Sequence, residues 1–225
     1  PGFIKKIKKI LEIACHNCSK VLADRSNPQF KAAVSMRDPK RRFEAIWRLC
    51  KPKMICDADI WNEKNKDEEY APGLKPNQVE NHGGCGNTQP EVRQTALQLW
   101  GTWKVPKDED KKSKKKKSIT PEMALQVFRN ISTEDIYDLG LNSDYARPEW
   151  MVITVLPVPP PPVRPSISMD GTGQGMRGED DLTYKLAEII RANGNVRQAQ
   201  SEGSPAHVAL EFESLLQYHV ATYMT

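Results

Sequence analysis

Five cysteines, Cys15, Cys18, Cys50, Cys56 and Cys85, are the side chains of this 225-residue chain best equipped for chemistry. Their number is odd and their spacing is not that of a small disulfide scaffold. Cys15 and Cys18 stand in the C-x-x-C spacing of a metal knuckle, which points to a reducing compartment and a zinc site. Zinc takes four ligands in a tetrahedron, and thiolates are its usual structural partners. The stretch HGGCG, from His82, offers Cys85 between glycines that let backbone N–H groups turn towards a thiolate. Cys50 falls on one helical face with Phe43, Ile46 and Trp47 and reads as a packed core thiol. Cys56 lies beyond Pro52, off that helix and free to reach a metal. The expected ligand set is Cys15, Cys18, Cys56 and Cys85, with His16 and His82 as alternatives. A closed four-thiolate site leaves no position for substrate, so its expected role is structural.

No other residues form a convincing catalytic set, and no catalytic residue is assigned. No histidine sits in a nucleophile motif, and His219 reads as a core histidine on an apolar helix face. The carboxylates of Glu179, Asp180 and Asp181 suit a helix start. GTGQG, at 171–175, has no strand leading into it and no Lys-Ser/Thr after it, so it is not read as a phosphate loop.

The elements that must position the cysteines follow from periodicity. Residues 2–13 are expected to form a helix with Phe3, Ile4, Ile7, Ile10 and Leu11 inward and four lysines off the stripe. Further helices are expected over 28–36 and 39–50. Residues 57–81 read as a long polar loop, 95–105 as extended, and the charge run 107–117 as a solvated loop. Thr120-Pro121 is a helix start, and a short helix follows from Ser132 or Thr133 to about Gly140. Residues 150–156 read as a buried strand, because they are short, β-branched and uncharged. The last segment predicts helices over 181–192 and from Pro205 to about Met224, joined by a polar tip at 193–204. The second helix places Val208, Phe212, Leu215, Leu216, His219, Val220 and Tyr223 on its apolar face. The fold class is α+β, with a projecting antiparallel two-helix coiled coil.

Between the expected strand and these helices runs LPVPPPPVRPSIS. Its prolines impose stiff extended backbone, and PPPPVR fits the P-x-x-P-x-R form that SH3 domains bind. A strap between packed elements and a scaffold ligand are the two readings. The charge balance, 33 basic against 29 acidic side chains, permits a nucleic-acid partner without requiring one. No apolar run reaches the ~18 residues of a membrane span. The opening PGFIKKIKKI carries no initiator Met, so the chain is expected to be a fragment or a processed form.

The strings PGFIKKIKKILEIACHNCSKVL, CKPKMICDAD, HGGCGNTQP, YARPEWMVITVLPVPPPPVRPSIS, RGEDDLTYKLAEII and LLQYHVATYM together resemble the amino-terminal clamp region of the largest subunits of eukaryotic RNA polymerase II. The likeness covers nearly the whole chain; 107–117 and 57–81 look like variable insertions. It implies a zinc-stabilised clamp core over 1–105, a lysine-rich variable loop over 106–119, and core helices, strand and proline strap over 120–165. A lid-like loop over 166–181 and a clamp coiled-coil hairpin over 182–225 complete the division.

By the same resemblance the lid helps part transcript from template at the upstream end of the RNA–DNA hybrid. Met169 would abut the last hybrid pair and Arg164 and Arg177 would meet phosphates. The hairpin tip, through Asn193, Gly194, Asn195 and Arg197, would dock initiation factors and the NusG-type elongation factor. Implied partners are the other polymerase subunits, template DNA and the hybrid, with no membrane; the implied place is the nucleus. The implied cofactors are one structural Zn2+ here and catalytic Mg2+ elsewhere in the parent subunit. A chain without the magnesium-binding aspartates is not expected to add nucleotides by itself.

Overall fold

The computed structural model describes residues 2–57, 84–104, 115–173 and 175–225. It is an α+β structure in two compact units, Gly2–Ile153 and Thr154–Thr225.

In the first unit, helix α1 (Ile4–Ile13) turns its apolar stripe inward and buries Ile10, Leu11 and Ile13. Helix α2 (Pro28–Val34) starts at Asn27, whose side chain accepts from the Gln29 N–H at 2.8 Å. Helix α3 (Pro39–Cys50) starts in the same way, with the Asp38 carboxylate accepting from the Lys40 N–H at 2.9 Å, and it buries Phe43, Ile46 and Cys50. Each cap satisfies a backbone donor that has no partner within its helix. Strands β1 (Glu91–Thr95), β2 (Gln98–Trp103) and β3 (Lys115–Ile119) form an antiparallel sheet in the order β1-β2-β3. Helices α4 (Pro121–Arg129) and α5 (Thr133–Asp138) follow, capped by Thr120 and Ser132 in agreement with the sequence pattern. One core joins these elements through Ile10, Ile13, Phe30, Ile46, Val92, Phe128, Ile136 and Leu139.

The expectation of extended chain at 95–105 holds for β2 at 98–103, to which the structure adds β1 as its hairpin partner, while Val105 lies outside the described residues. The turn lies at Ala96, which has φ of 52°, a conformation that sequence patterns rarely signal for alanine. Two other expectations for this unit need correction. The end of the lysine run is not solvated loop: Lys115, Lys116 and Lys117 belong to β3. A strand at the border of a sheet tolerates lysine, and the Lys116 ammonium rests 4.5 Å from the Trp100 ring centroid. The remainder of that run, with most of the loop at 57–81, lies outside the described residues. Finally, 150–156 is not a buried strand. Pro148–Met151 makes a 3-10 turn, Trp150, Ile153 and Val155 are exposed, and no partner strand is present among the described residues. β-branched content stabilises a strand only where a neighbour takes its hydrogen bonds.

In the second unit the proline segment ends in a 3-10 turn at Pro161–Val163 rather than in continuous polyproline helix. Strands β4 (Ile167–Ser168) and β5 (Arg177–Gly178) close a small hairpin where the sequence predicts plain loop. Helix α6 (Asp181–Ser201) begins at Asp180, which accepts from the Leu182 N–H at 2.8 Å. It runs nine residues past the expected stop at 192, so Asn193, Gly194, Asn195 and Arg197 are helical and not in a tip loop. Gly194 carries its helix penalty of about 1 kcal/mol because Ala192 and Ala199, on either side, are buried. The reversal is a tight cap instead: Ser204 donates to the Ala199 carbonyl and Gly203, at φ 64°, to that of Gln200. Helix α7 (Ala206–Tyr223) returns along α6. Its expected apolar face is half-buried at Phe212, Leu216, His219, Val220 and Tyr223, but Leu215 is exposed. His219 is not enclosed in a core; its Nδ1 lies 3.2 Å from Glu188 Oε2.

The buried carboxylate of Asp138 is held by Arg25, whose Nη2 and Nε donate at 2.8 and 3.2 Å. Arg25→Ala leaves that charge buried and short of partners. It is expected to destabilise the first unit by about 3 kcal/mol, read from denaturant unfolding. Gly203→Ala is expected to cost only about 1 kcal/mol, because it strains one cap residue at the surface.

Candidate functional site

Three lengths of chain converge on one cluster of sulfur. At the end of α1 the chain turns sharply: Cys15 N–H donates to the Lys20 carbonyl at 2.8 Å and Ser19 N–H to that of Cys15 at 3.0 Å. Ser19 takes φ of 63°, and the bridge Ala14↔Val21 closes the knuckle. After α3, residues around Ile55 pair with residues around Thr88; Cys56 N–H donates to the Asn87 carbonyl at 3.0 Å, and Gln89 N–H to that of Met54 at 2.7 Å. Gly84 is obligatory there, since a β-carbon would sit 1.9 Å from the Asp57 carbonyl oxygen and 2.9 Å from Cys56 Sγ. Gly86 adopts φ of 71°.

The Sγ atoms of Cys15, Cys18, Cys56 and Cys85 all lie within 4.8 Å of one another. Cys15 and Cys85 are 3.5 Å apart, and Cys18 and Cys56 are 3.7 Å apart. Four thiolates at about 2.3 Å from a tetrahedral zinc would be about 3.8 Å apart, so the cluster fits such an ion in both spacing and donor type. Cys50 stands apart in the core, where burial pushes its thiol up to about 12. His16 does not join the sulfurs: its Nε2 is 3.0 Å from the Leu11 carbonyl, its ring stands edge-on to Trp103, and burial lowers its pKa, favouring the neutral ring. His82 lies outside the described residues.

Polar neighbours that the sequence pattern does not flag aim donors at the sulfurs. Buried Gln89 donates from Nε2 to Cys15 Sγ at 3.1 Å, while its Oε1 accepts from the His16 N–H at 2.9 Å. Asn87 Nδ2 donates to Cys85 Sγ at 3.3 Å, and Asn17 N–H to Cys15 Sγ at 3.4 Å. The only sequence signal is the amide side chains close after Cys85 in HGGCGNTQP. Burial alone pushes a thiol up, and it does so for Cys18 and Cys56. At Cys85 the same burial is outweighed by the backbone and side-chain donors of Asn87, and the thiol falls to about 6.

The remaining candidates lie in the second unit. Arg164 Nε donates to the Pro159 carbonyl at 3.0 Å and its Nη1 to Thr183 Oγ1 at 3.4 Å, which holds the strap to α6. Arg177 donates to the Ser166 hydroxyl at 3.1 Å and to its carbonyl at 2.9 Å, across the base of the β4–β5 hairpin. Met169 is 75% exposed beyond that base, beside the equally bare Met176, which the sequence pattern does not single out. Arg197 is exposed on the outer turns of α6, with Asn193 and Asn195 half-buried there. Among the described residues no helix is long and apolar enough to cross a membrane.

The family model described as RNA polymerase Rpb1, domain 1, matches residues 1–225. The chain belongs to that family, and is thus part of the largest subunit of a DNA-directed RNA polymerase, a nucleotidyltransferase that works in transcription.

Gln89→Leu keeps the volume near Cys15 but removes the donor. Loss of such an outer hydrogen bond is expected to weaken metal retention by the cluster 10- to 100-fold, measured by competition with a chromophoric chelator.

Proposed function

We propose that the chain is the clamp portion of its polymerase subunit, fastened by one structural zinc ion on Cys15, Cys18, Cys56 and Cys85. When bound, zinc supplies a four-way cross-link between chain segments and no catalysis. The observation that carries this reading is the convergence of four sulfurs within 4.8 Å in a chain matched by its family along all 225 residues. Catalytic magnesium belongs elsewhere in the parent subunit, and the chain alone adds no nucleotides. For a eukaryotic member the place of work is the nucleus.

In this reading 166–181 is the lid. Arg177 braces its base and Met169 offers an uncharged, flexible tip against the last pair of the RNA–DNA hybrid, where an apolar surface favours an unstacked base. Arg164 and Arg177 keep spare N–H donors for phosphate while they tie the strap and hairpin. The α6–α7 pair is the clamp coiled coil, which docks initiation factors and the NusG-type elongation factor. Asn193, Gly194, Asn195 and Arg197 meet them from the last helical turns of α6.

A second reading, a scaffold that presents PPPPVR to SH3 domains, draws support from the exposure of Pro160, Pro161 and Pro162. The 3-10 turn at Pro161–Val163 and the intramolecular bonds of Arg164 weigh against it, because SH3 recognition needs extended backbone and a free arginine.

Zinc per chain, by elemental mass spectrometry, tests the clamp reading. One zinc is expected in the parent and in Cys50→Ser, and none in Cys56→Ser; no zinc in the folded parent would refute the site. In reconstituted polymerase, Met169→Asp is expected to lengthen the RNA–DNA hybrid, mapped by nuclease footprinting. A hybrid of unchanged length would remove Met169 from strand separation.

A further inference from the structure

The four sulfurs of the cluster are not equally sheltered. Cys15 and Cys56 are buried, whereas Cys18 and Cys85 are half-buried. Each close contact joins one of each kind: Cys85 with Cys15 at 3.5 Å, and Cys18 with Cys56 at 3.7 Å. The two half-buried thiols differ in their neighbours. Cys18 is flanked by Asn17 and by buried Ser19, while Cys85 stands between Gly84 and Gly86, which put no side chain beside it, and Gly86, Asn87 and Thr88 are exposed. A small oxidant arriving from solvent thus meets Cys85 first, with a sheltered sulfur in contact behind it. Amide donors steady both members of this pair, Asn87 Nδ2 on Cys85 Sγ at 3.3 Å and Gln89 Nε2 on Cys15 Sγ at 3.1 Å. A thiol that ligates a metal is already deprotonated, so no proton has to leave it before it reacts.

We propose that Cys85 is a site of reversible oxidation by hydroperoxides, with Cys15 as its resolving partner. The proposal rests on the zinc reading above and adds a redox response to that centre. The Cys85 sulfur attacks the peroxide: an S–O bond forms, the O–O bond breaks, and the departing hydroxide takes a proton from solvent. Cys85 is then a sulfenic acid. The Cys15 thiolate attacks Cys85 Sγ; the S–S bond forms, the S–O bond breaks, and hydroxide leaves with a second solvent proton as water. Two electrons have passed from the two sulfurs to hydrogen peroxide, which ends as two waters. A resolving sulfur in contact stops Cys85 short of the irreversible sulfinic acid.

The centre then lacks two of its four ligands and no longer holds its metal. Cys18 and Cys56 are left to close a second bridge by the same steps. Both bridges start from the Cys15–Cys18 knuckle, one reaching Cys85 and the other Cys56. All three lengths of chain therefore stay joined after the metal is gone. The alternative that the C-x-x-C spacing suggests, Cys15 with Cys18 and Cys56 with Cys85, would cut the knuckle loose from the other two segments. The contacts of the structure favour the first pairing. Cys50, buried in the core, takes no part.

The test exposes assembled, zinc-replete polymerase to graded hydrogen peroxide. Free thiols are then alkylated and the cysteine peptides of this chain mapped by mass spectrometry, with a cyclic dione in parallel samples to trap sulfenic acid. The Cys15–Cys85 cross-link is expected first, the trapped adduct at Cys85, and Cys50 unoxidised. Cys18 and Cys56 are expected to become open to alkylation in step with that cross-link, as the metal is lost, and dithiothreitol with zinc to restore all four. Cys15→Ser is expected to accumulate the Cys85 adduct; if this variant does not assemble, the wild-type map decides. A first cross-link between Cys15 and Cys18 or between Cys56 and Cys85, or trapping at Cys18 in place of Cys85, overturns the inference and leaves the clamp reading standing. Four unmodified cysteines at peroxide levels that oxidise glutathione overturn it too. A Cys15–Cys85 cross-link in a folded chain that never carried zinc would instead refute the zinc reading and uphold the redox pair.

Discussion

Four sulfur atoms from three separated stretches of chain share a space less than 5 Å across, and the first unit is arranged around that meeting. The knuckle at Cys15 fixes the end of α1, the strand-like pairing at Cys56 fixes the exit from α3, and the return through Cys85 to Gln89 delivers the chain to β1. Beside the sulfurs, Ala14, Val21, Leu22 and Ala23 are buried in the common core. The four thiols do not share one environment: burial above all raises Cys18 and Cys56, whereas the donors of Asn87 bring Cys85 down to about 6. Because closure entropy grows only logarithmically with loop length, such a cluster tolerates any length of chain between Cys56 and Cys85 at little extra cost.

Much of this was legible in residue types. The Thr120 cap announced α4 because it acts on a backbone donor three residues away, a local effect, and the expected start of α5 at Ser132 or Thr133 holds for the same reason. The four cysteines that converge were separable from Cys50 because a helical face is also local arithmetic. What failed was non-local. The run at 150–156 has the composition of a strand, yet no strand among the described residues lies ready to pair with it. β1 and the turn at Ala96 depend on a cross-strand register that no short pattern encodes. The end of α6 was misjudged because Gly194 and two asparagines resemble a loop in isolation, whereas burial of Ala192 and Ala199 carries the helix on to a Gly203 cap. Gln89 and Asn87 were missed because an amide aimed at sulfur looks, in sequence, like any other amide.

The second unit is ordered by tethers more than by a core. Arg164 reaches from the strap to Thr183, the Tyr223 hydroxyl donates to the Pro157 carbonyl at 3.0 Å, and Arg177 spans the hairpin base. Helix α6 buries four residues and α7 none, so α7 owes its place to a single half-buried face and to the tight reversal before it. Side chains with exposed apolar surface, Ile190, Leu210, Leu215 and Tyr218 among them, line the outside of this helix pair.

The lysines of β3 bear on how the molecule behaves in company. Among the described residues β3 is an outermost strand, and its free backbone groups are an open invitation to a strand from another copy. Lys116 and Lys117 decline it: they point to opposite sides of the sheet, so a second chain arriving in either orientation meets a positive charge. Stacking copies in register would place lysine over lysine along a fibril, the arrangement amyloid tolerates least. A run that looks like filler in the sequence thus puts positive charge on both sides of the sheet's border strand.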